Sequence, residues 1–314
     1  MSSGRAKHKG RLTQIPIYLG KFFRMFVYAN DWKVLPMSAI IAFLVAKVAA
    51  THICETMEGT IYGTLALSCI CIWNGFFNSI QVVCRERDIV KREHRDGMHI
   101  SAYISAHVLY QAFLCFSQTV ITVAICRAAG LKFPKSGFIT PSFDFDIGVT
   151  IFLTTFTADM MALMISCIAR NTTSAMTIMP FVLIFELLFS GTVFELSGIA
   201  KKFTDLSIAK WSINCLAAQS NYNSLPMVII WNKAKNLKGI EYYGQYPVKE
   251  VMDYLTNNGY ANDITNWMGQ HSQREDFATT VSNICGCWLN LAMFSILFIV
   301  FAMIFLKRVD KDKR

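Results

Sequence analysis

The sequence predicts an all-α polytopic membrane protein with six spans. Three observations lead there. Of the 314 residues, 54% are hydrophobic and only 16% are charged, against about a quarter charged in ordinary soluble domains. Residues 60–82 and 100–126 contain no Asp, Glu, Lys or Arg, and each run is long enough to cross a hydrocarbon layer of about 30 Å. Between them, residues 83–98 interleave Arg85, Arg87, Lys91, Arg92 and Arg95 with Glu86, Asp88, Glu93 and Asp96. Such a cluster cannot sit in hydrocarbon, so it marks a water interface, and its basic residues place that interface on the cytoplasmic side.

The elements follow in chain order. Residues 1–12 are basic. Ile15, Tyr18, Leu19, Phe22, Phe23, Phe26 and Val27 then recur at three- and four-residue spacing, with Lys21 and Arg24 on the other side. That pattern predicts an amphipathic helix lying in the membrane interface, with Pro16 in its first turn. Spans are expected at 34–53, 60–83, 101–126, 147–169, 175–194 and 282–306, with Lys47 snorkelling outward from the first. A short cytoplasmic helix joins the second and third, and residues 170–173 join the fourth and fifth. Asn171 forms a glycosylation sequon there, which a cytoplasmic turn leaves unused.

The chain reads as a single domain. A cytoplasmic arm and interfacial helix (1–32) precede five spans (33–199). An external region of short helices (200–281) and a last span with a cytoplasmic tail (282–314) follow. Both termini are expected inside, with no cleavable leader. The external loop has nearly balanced charge, and long loops cross a membrane largely regardless of charge.

The net charge of +9 does not indicate nucleic-acid binding. Basic residues gather at the two ends and in 83–98, and no basic patch interleaves with stacking aromatics. The ten cysteines fall mostly in apolar runs, where they act as small hydrophobes. Cys285-Gly286-Cys287 is too tight for zinc. No phosphate loop, His-Glu-x-x-His, Gly-x-Ser-x-Gly or Cys-x-x-Cys motif occurs. His94 and His99 read as surface histidines. No catalytic, cofactor or metal site is therefore expected in this chain.

Polar residues inside the spans are more informative. Asn74, Asn78 and Gln81 share one face of the second span. His107, Gln111 and Gln118 share broadly one side of the third. Each stripe must face protein or a water-filled path, so interhelical hydrogen bonding and the lining of a substrate path both stand as readings. Asp159 and Glu186 lie near the middle of their expected spans. A carboxylate there binds a cationic substrate, carries a proton, or stays neutral as a structural donor.

The order and spacing of several motifs resemble the membrane domain of type-2 ATP-binding-cassette (ABC) exporters, in the white/ABCG-type branch and its bacterial relatives. The residues are Trp73-Asn74-Gly75, Glu86-Arg87, Lys91-Arg92-Glu93, Gly97 and Tyr103. Further along come Ile165-Ser166, Arg170-Asn171, Ala175, Pro180, Leu188-Phe189-Ser190-Gly191, Trp211-Ser212 and Leu216-Ala217. The resemblance covers nearly the whole chain. It implies a permease that works as a pair, either a homodimer or with a related permease, around a central cavity in a plasma or bacterial inner membrane. Arg85, Glu86, Arg87, Arg92, Glu93 and Gly97 match the region that couples to the ATPase. The ATPase, carrying ATP and Mg, is then a separate subunit, or the chain is a fragment of a fused transporter. Asn74, Asn78, Gln81, Asp159 and Glu186 are the candidates for the substrate path.

Two other functions compete. One is an ABC-type complex that signals to or regulates an outer partner without transport. The other is a proton-coupled secondary transporter using Asp159 and Glu186.

Overall fold

The computed structural model describes residues 10–28, 31–48, 52–131, 133–134, 136–192, 198–260 and 273–307. Among these residues the regular structure is helical, apart from one isolated bridge between Tyr242 and Gln245.

The amphipathic segment forms α1 (Arg11–Tyr28). Its aromatic face packs on α6 (Ile100–Ala128). Phe22 meets the rings of Tyr103, His107 and Tyr110, and Phe23 meets those of Tyr110 and Phe113. The helix begins before the apolar repeat does, so Pro16 falls in its second turn rather than its first. There it removes one intrahelical hydrogen bond. The stretch Asp31–Lys47, which contains most of α2 (Val34–Val48), is inclined to α1 by 72°.

Four helical stretches are long and apolar enough to cross a membrane: Met57–Arg85, Ile100–Ala128, Phe143–Ile168 and Val281–Leu306. The first comprises α3 (Met57–Ser79) and α4 (Val82–Arg85). The charged helix α5 (Arg87–Arg95) comes next, then α6 and α7 (Phe143–Ile168). These stretches occupy the second, third, fourth and sixth expected spans. A fifth is added if α1 and the stretch Asp31–Lys47 count as one bent span. At the expected fifth span lies α8 (Thr172–Leu188), of 17 residues; α2 has 15. At 1.5 Å per residue these reach about 26 and 22 Å, short of a hydrocarbon layer of about 30 Å. Among the described residues, length and composition therefore mark four spans, or five with the bent pair. Residues 49–51 and 193–197, which the expected spans include, lie outside the described residues.

The bundle is centred on α3 and α7. They come closest where a side chain is absent, because two backbones approach closely only where side chains are short. Gly75 is the closest point. A Cβ there would stand 2.3 Å from the Thr155 carbonyl oxygen and 2.7 Å from the Asp159 amide nitrogen.

Past α8 come α9 (Ile199–Thr204), α10 (Ile208–Gln219), α11 (Pro226–Leu237) and α12 (Pro247–Leu255). Short helices were expected here as an external cap. Short helices are present, and α10 packs into the bundle. Ile208, Ala209, Ile213, Leu216 and Ala217 are buried, and Ser212 Oγ lies 2.8 Å from Ser68 Oγ and 3.0 Å from Thr154 Oγ1. The last helix, α13 (Val281–Leu306), is tied to α7 by the Thr157 and Ser295 hydroxyls, 2.8 Å apart. It exposes Leu289, Met293, Ile296, Leu297 and Val300, an apolar face suited to lipid.

Candidate functional site

Two neighbourhoods carry the residues singled out above. The first is the charged junction between α3 and α6. Its polar side chains divide between two neighbours and an open face. Toward α1, Lys21 Nζ lies 3.2 Å from Glu86 Oε2, and the Tyr18 hydroxyl donates to Glu93 Oε2 at 3.1 Å. Gln14 donates to the Gly97 carbonyl at 3.2 Å and accepts from the His99 amide at 2.9 Å. Burial, and then the adjacent Glu93 carboxylate, hold the Tyr18 phenol above its ordinary range, so it stays a donor. Toward α7, Arg87 Nη1 donates to the Cys167 and Ala169 carbonyls, both at 2.9 Å. A cation at a helix C-terminus is favoured by the helix dipole. The Ser166 hydroxyl accepts from the Val83 and Cys84 amides at 3.0 and 3.1 Å. Gly97 has φ +103°, a backbone state that glycine enters without strain, and it turns the chain from α5 into α6.

Arg85, Asp88, Ile89 and Arg92 remain exposed. Ile89 was not singled out in the sequence. An isoleucine 41% exposed amid charge is detectable only once the helix face is known. Of the six residues matched to ATPase coupling, Arg85 and Arg92 thus face outward, while Glu86, Arg87, Glu93 and Gly97 hold the junction to the rest of the protein.

The second neighbourhood is a buried polar core between α3, α6 and α7. Asn78 Nδ2 lies 2.9 Å from Gln118 Oε1 and 3.3 Å from Asp159 Oδ2, and Gln118 Nε2 returns to Asn78 Oδ1 at 3.0 Å. The Cys115 thiol donates to Asp159 Oδ2 at 3.2 Å, and Gln111 Nε2 to the Asn78 carbonyl at 3.4 Å. The polar stripe on α3 therefore makes interhelical hydrogen bonds. Asn74, one turn away, donates to Ser38 on α2 at 3.2 Å. Gln81 sits at the break between α3 and α4, half-buried. With Asn78 and Gln111 it lines a crevice of 220 Å³ that also includes Asp31, Arg85 and Tyr110.

Glu186 joins neither group. The helix ends at Leu188, so Glu186 lies in the last turn of α8 rather than mid-span. Its Oε2 accepts from the Ser207 hydroxyl at 2.8 Å and the Ala209 amide at 3.0 Å. It thereby fastens α8 to the N-terminus of α10, where a negative side chain suits the helix dipole. Asp146 was missed entirely. Its buried carboxylate accepts from the amides of Phe138, Ile139 and Thr140 at 2.8, 2.9 and 3.2 Å, fixing the loop before α7. Only the loop's path shows this. Among the described residues no group of three His, Cys, Asp or Glu side chains is placed to hold a metal ion.

Apolar helices of spanning length, packed around a polar core, define an integral membrane protein. A family model described as ABC-2 type transporter matches residues 20–219. The chain belongs to the ABC-2 type transporter family, and within it is the permease component, the transmembrane part that is not itself catalytic. Members of this family generally partner with an ABC ATPase subunit. No curated protein matches the chain.

Proposed function

We propose that the chain is the permease half of an ATP-driven exporter. It pairs with a second permease of the same or a related kind around a shared cavity and is driven by a separate ATPase subunit that binds ATP and Mg. In this reading α2 and α8 complete six spans, both termini are cytoplasmic in a plasma or bacterial inner membrane, and Asn78 and Gln81 border the substrate path. Asn74, Asp159 and Glu186 serve it by positioning helices.

One observation carries the coupling part of this reading. The outward face of α5 combines Asp88, Ile89 and Arg92 with the nearby Arg85, while its other face is bonded to α1 and α7. A force applied at the exposed face is therefore transmitted to both helices. The fixed side supports that role as much as the free one.

The test is affinity purification in mild detergent, asking whether an ABC ATPase accompanies the chain. Charge-assisted contacts are worth about 1.5–3 kcal/mol each. Ile89→Asp with Arg92→Glu should weaken ATPase association on the order of 100-fold, with an unchanged gel-filtration profile. Glu93→Lys, which breaks the bond to Tyr18, should leave the protein in the membrane with transport lost. Normal ATPase recovery with the double variant, or normal transport with Glu93→Lys, rules out α5 as the coupling element.

A further inference from the structure

Past the end of α8 the chain gathers charge of both signs around one pocket. Lys201 of α9, Lys210 and Asn214 of α10, and the run Arg274-Glu275-Asp276 all line it. Its volume of 540 Å³ falls within the range of about 300–1,000 Å³ common for small-ligand sites.

Part of this wall is held in place from outside the pocket. Asn223 clamps the Arg274 backbone, donating to its carbonyl at 2.8 Å and accepting from its amide at 3.1 Å. Asn283 Nδ2 donates to the Asp276 carbonyl at 2.9 Å. The Arg274 guanidinium lies over the Phe277 ring, 5.2 Å from its centroid. Stacking of that kind leaves the N–H groups at the edge of the guanidinium plane available.

The polar groups of the wall differ in what they have left to offer. Lys210 is committed to Asp205. The Ser190 and Thr204 hydroxyls, also in the wall, donate to the Leu187 and Lys201 carbonyls at 2.8 and 2.7 Å. Among the described residues, Lys201, Arg274, Glu275 and Asp276 have no ion-pair partner. Asn214 is the exceptional neutral group. It is only 7% exposed, yet its side-chain amide makes no hydrogen bond among the described residues. Buried amides are nearly always satisfied, and this one lines the pocket.

Two cations and two carboxylates around one pocket, none paired with another, suit a molecule that carries both charges. An amide in that molecule would present one donor and one acceptor, which matches Asn214. We propose that the pocket binds a soluble zwitterion of the amino-acid or short-peptide type. Its carboxylate meets Lys201 and Arg274, its ammonium meets Glu275 and Asp276, and its amide meets Asn214. The wall contains no aliphatic side chain, so nothing in it seats the acyl chain of a zwitterionic lipid. The site goes beyond the permease reading and does not depend on it.

Protection of Arg274 from phenylglyoxal tests the site, using the full chain in phosphatidylglycerol nanodiscs with glycylglycine as the probe. Arg170 is exposed and outside the pocket, so the ratio of the two modification rates, read by peptide mass spectrometry, corrects for reagent loss. Glycylglycine should slow Arg274 relative to Arg170 roughly ten-fold near ten times its dissociation constant. Acetate or methylammonium alone should not. Asn214→Leu strands no partner, so it should keep the parent's melting temperature and lose the protection; Asn214→Ala serves if the leucine variant does not fold. No protection by glycylglycine overturns the site, and equal protection by acetate overturns the zwitterion. Protection that survives loss of the Asn214 amide overturns the role of that residue. Protection that appears without peptide on changing the nanodisc lipid to phosphatidylethanolamine assigns the pocket to a lipid headgroup and overturns a soluble ligand.

Discussion

Gly75→Leu is expected to yield no monodisperse folded protein, and Gly75→Ala a sharply lower melting temperature. The added Cβ would meet the Thr155 carbonyl oxygen at 2.3 Å, the Asp159 amide nitrogen at 2.7 Å and the Ala158 Cβ at 2.9 Å. Two of these are backbone atoms of α7, which cannot rotate aside. Relief requires α3 and α7 to separate along the line that centres the bundle and sets the Asn78–Asp159 network. Overpacking of a well-filled core costs about 1–3 kcal/mol, and an obstructing backbone puts Gly75→Ala at the upper end. Gly148→Ala is the control, because nothing lies within 4 Å of its added Cβ; in mid-helix it should gain up to about 1 kcal/mol. Thermal unfolding followed by fluorescence-detected gel filtration compares the two. Equal melting temperatures for Gly75→Ala and the parent protein refute the close α3–α7 packing.

The second large effect is expected at Glu186. Its Oε2 accepts two hydrogen bonds that join the end of α8 to the start of α10. Leucine removes the acceptor and strands the Ala209 amide and the Ser207 hydroxyl in a buried place. Each unsatisfied donor costs about 1–3 kcal/mol, so Glu186→Leu should lose about 2–4 kcal/mol and express poorly. Glutamine keeps an acceptor oxygen in place, so Glu186→Gln should stay within about 1 kcal/mol of the parent. Thermal stability of the two variants decides the structural role, which fails if leucine is tolerated. Substrate-stimulated ATPase activity of the glutamine variant tests a different role. Its loss with normal stability would show that the charge itself takes part in transport.

The helical membrane character was legible from composition and run length, and the charged junction from its position between two uncharged runs. The polar stripe at Asn74, Asn78 and Gln81 was legible as a stripe, but its purpose was not. Hydrogen bonding and path lining demand the same residue types at the same spacing. Only the placement of Gln118, Asp159 and Ser38 opposite it showed two of the three residues bonding across helices. The short reach of α8 was hidden for another reason. Apolar residues continue past the point where the helix stops, so hydropathy overestimates helix length.

The sequence by itself determined the class of protein, an amphipathic first helix, four helices of spanning length and the position of the charged segment. Each of these depends on local periodicity or on the cost of placing charge in hydrocarbon, and both act within one stretch of chain. Only the tertiary structure decided the rest. It set which side chains of α5 face outward, with Ile89 among them and Glu93 turned to α1. It packed α10 against α3 and α7, and it gave Glu186 and Asp146 their partners. Apart from the Asp146 loop, whose partners lie 6 to 8 residues away, those outcomes depend on contacts between residues 21 to 144 positions apart in the chain, and such contacts leave no periodic trace in either partner's own sequence.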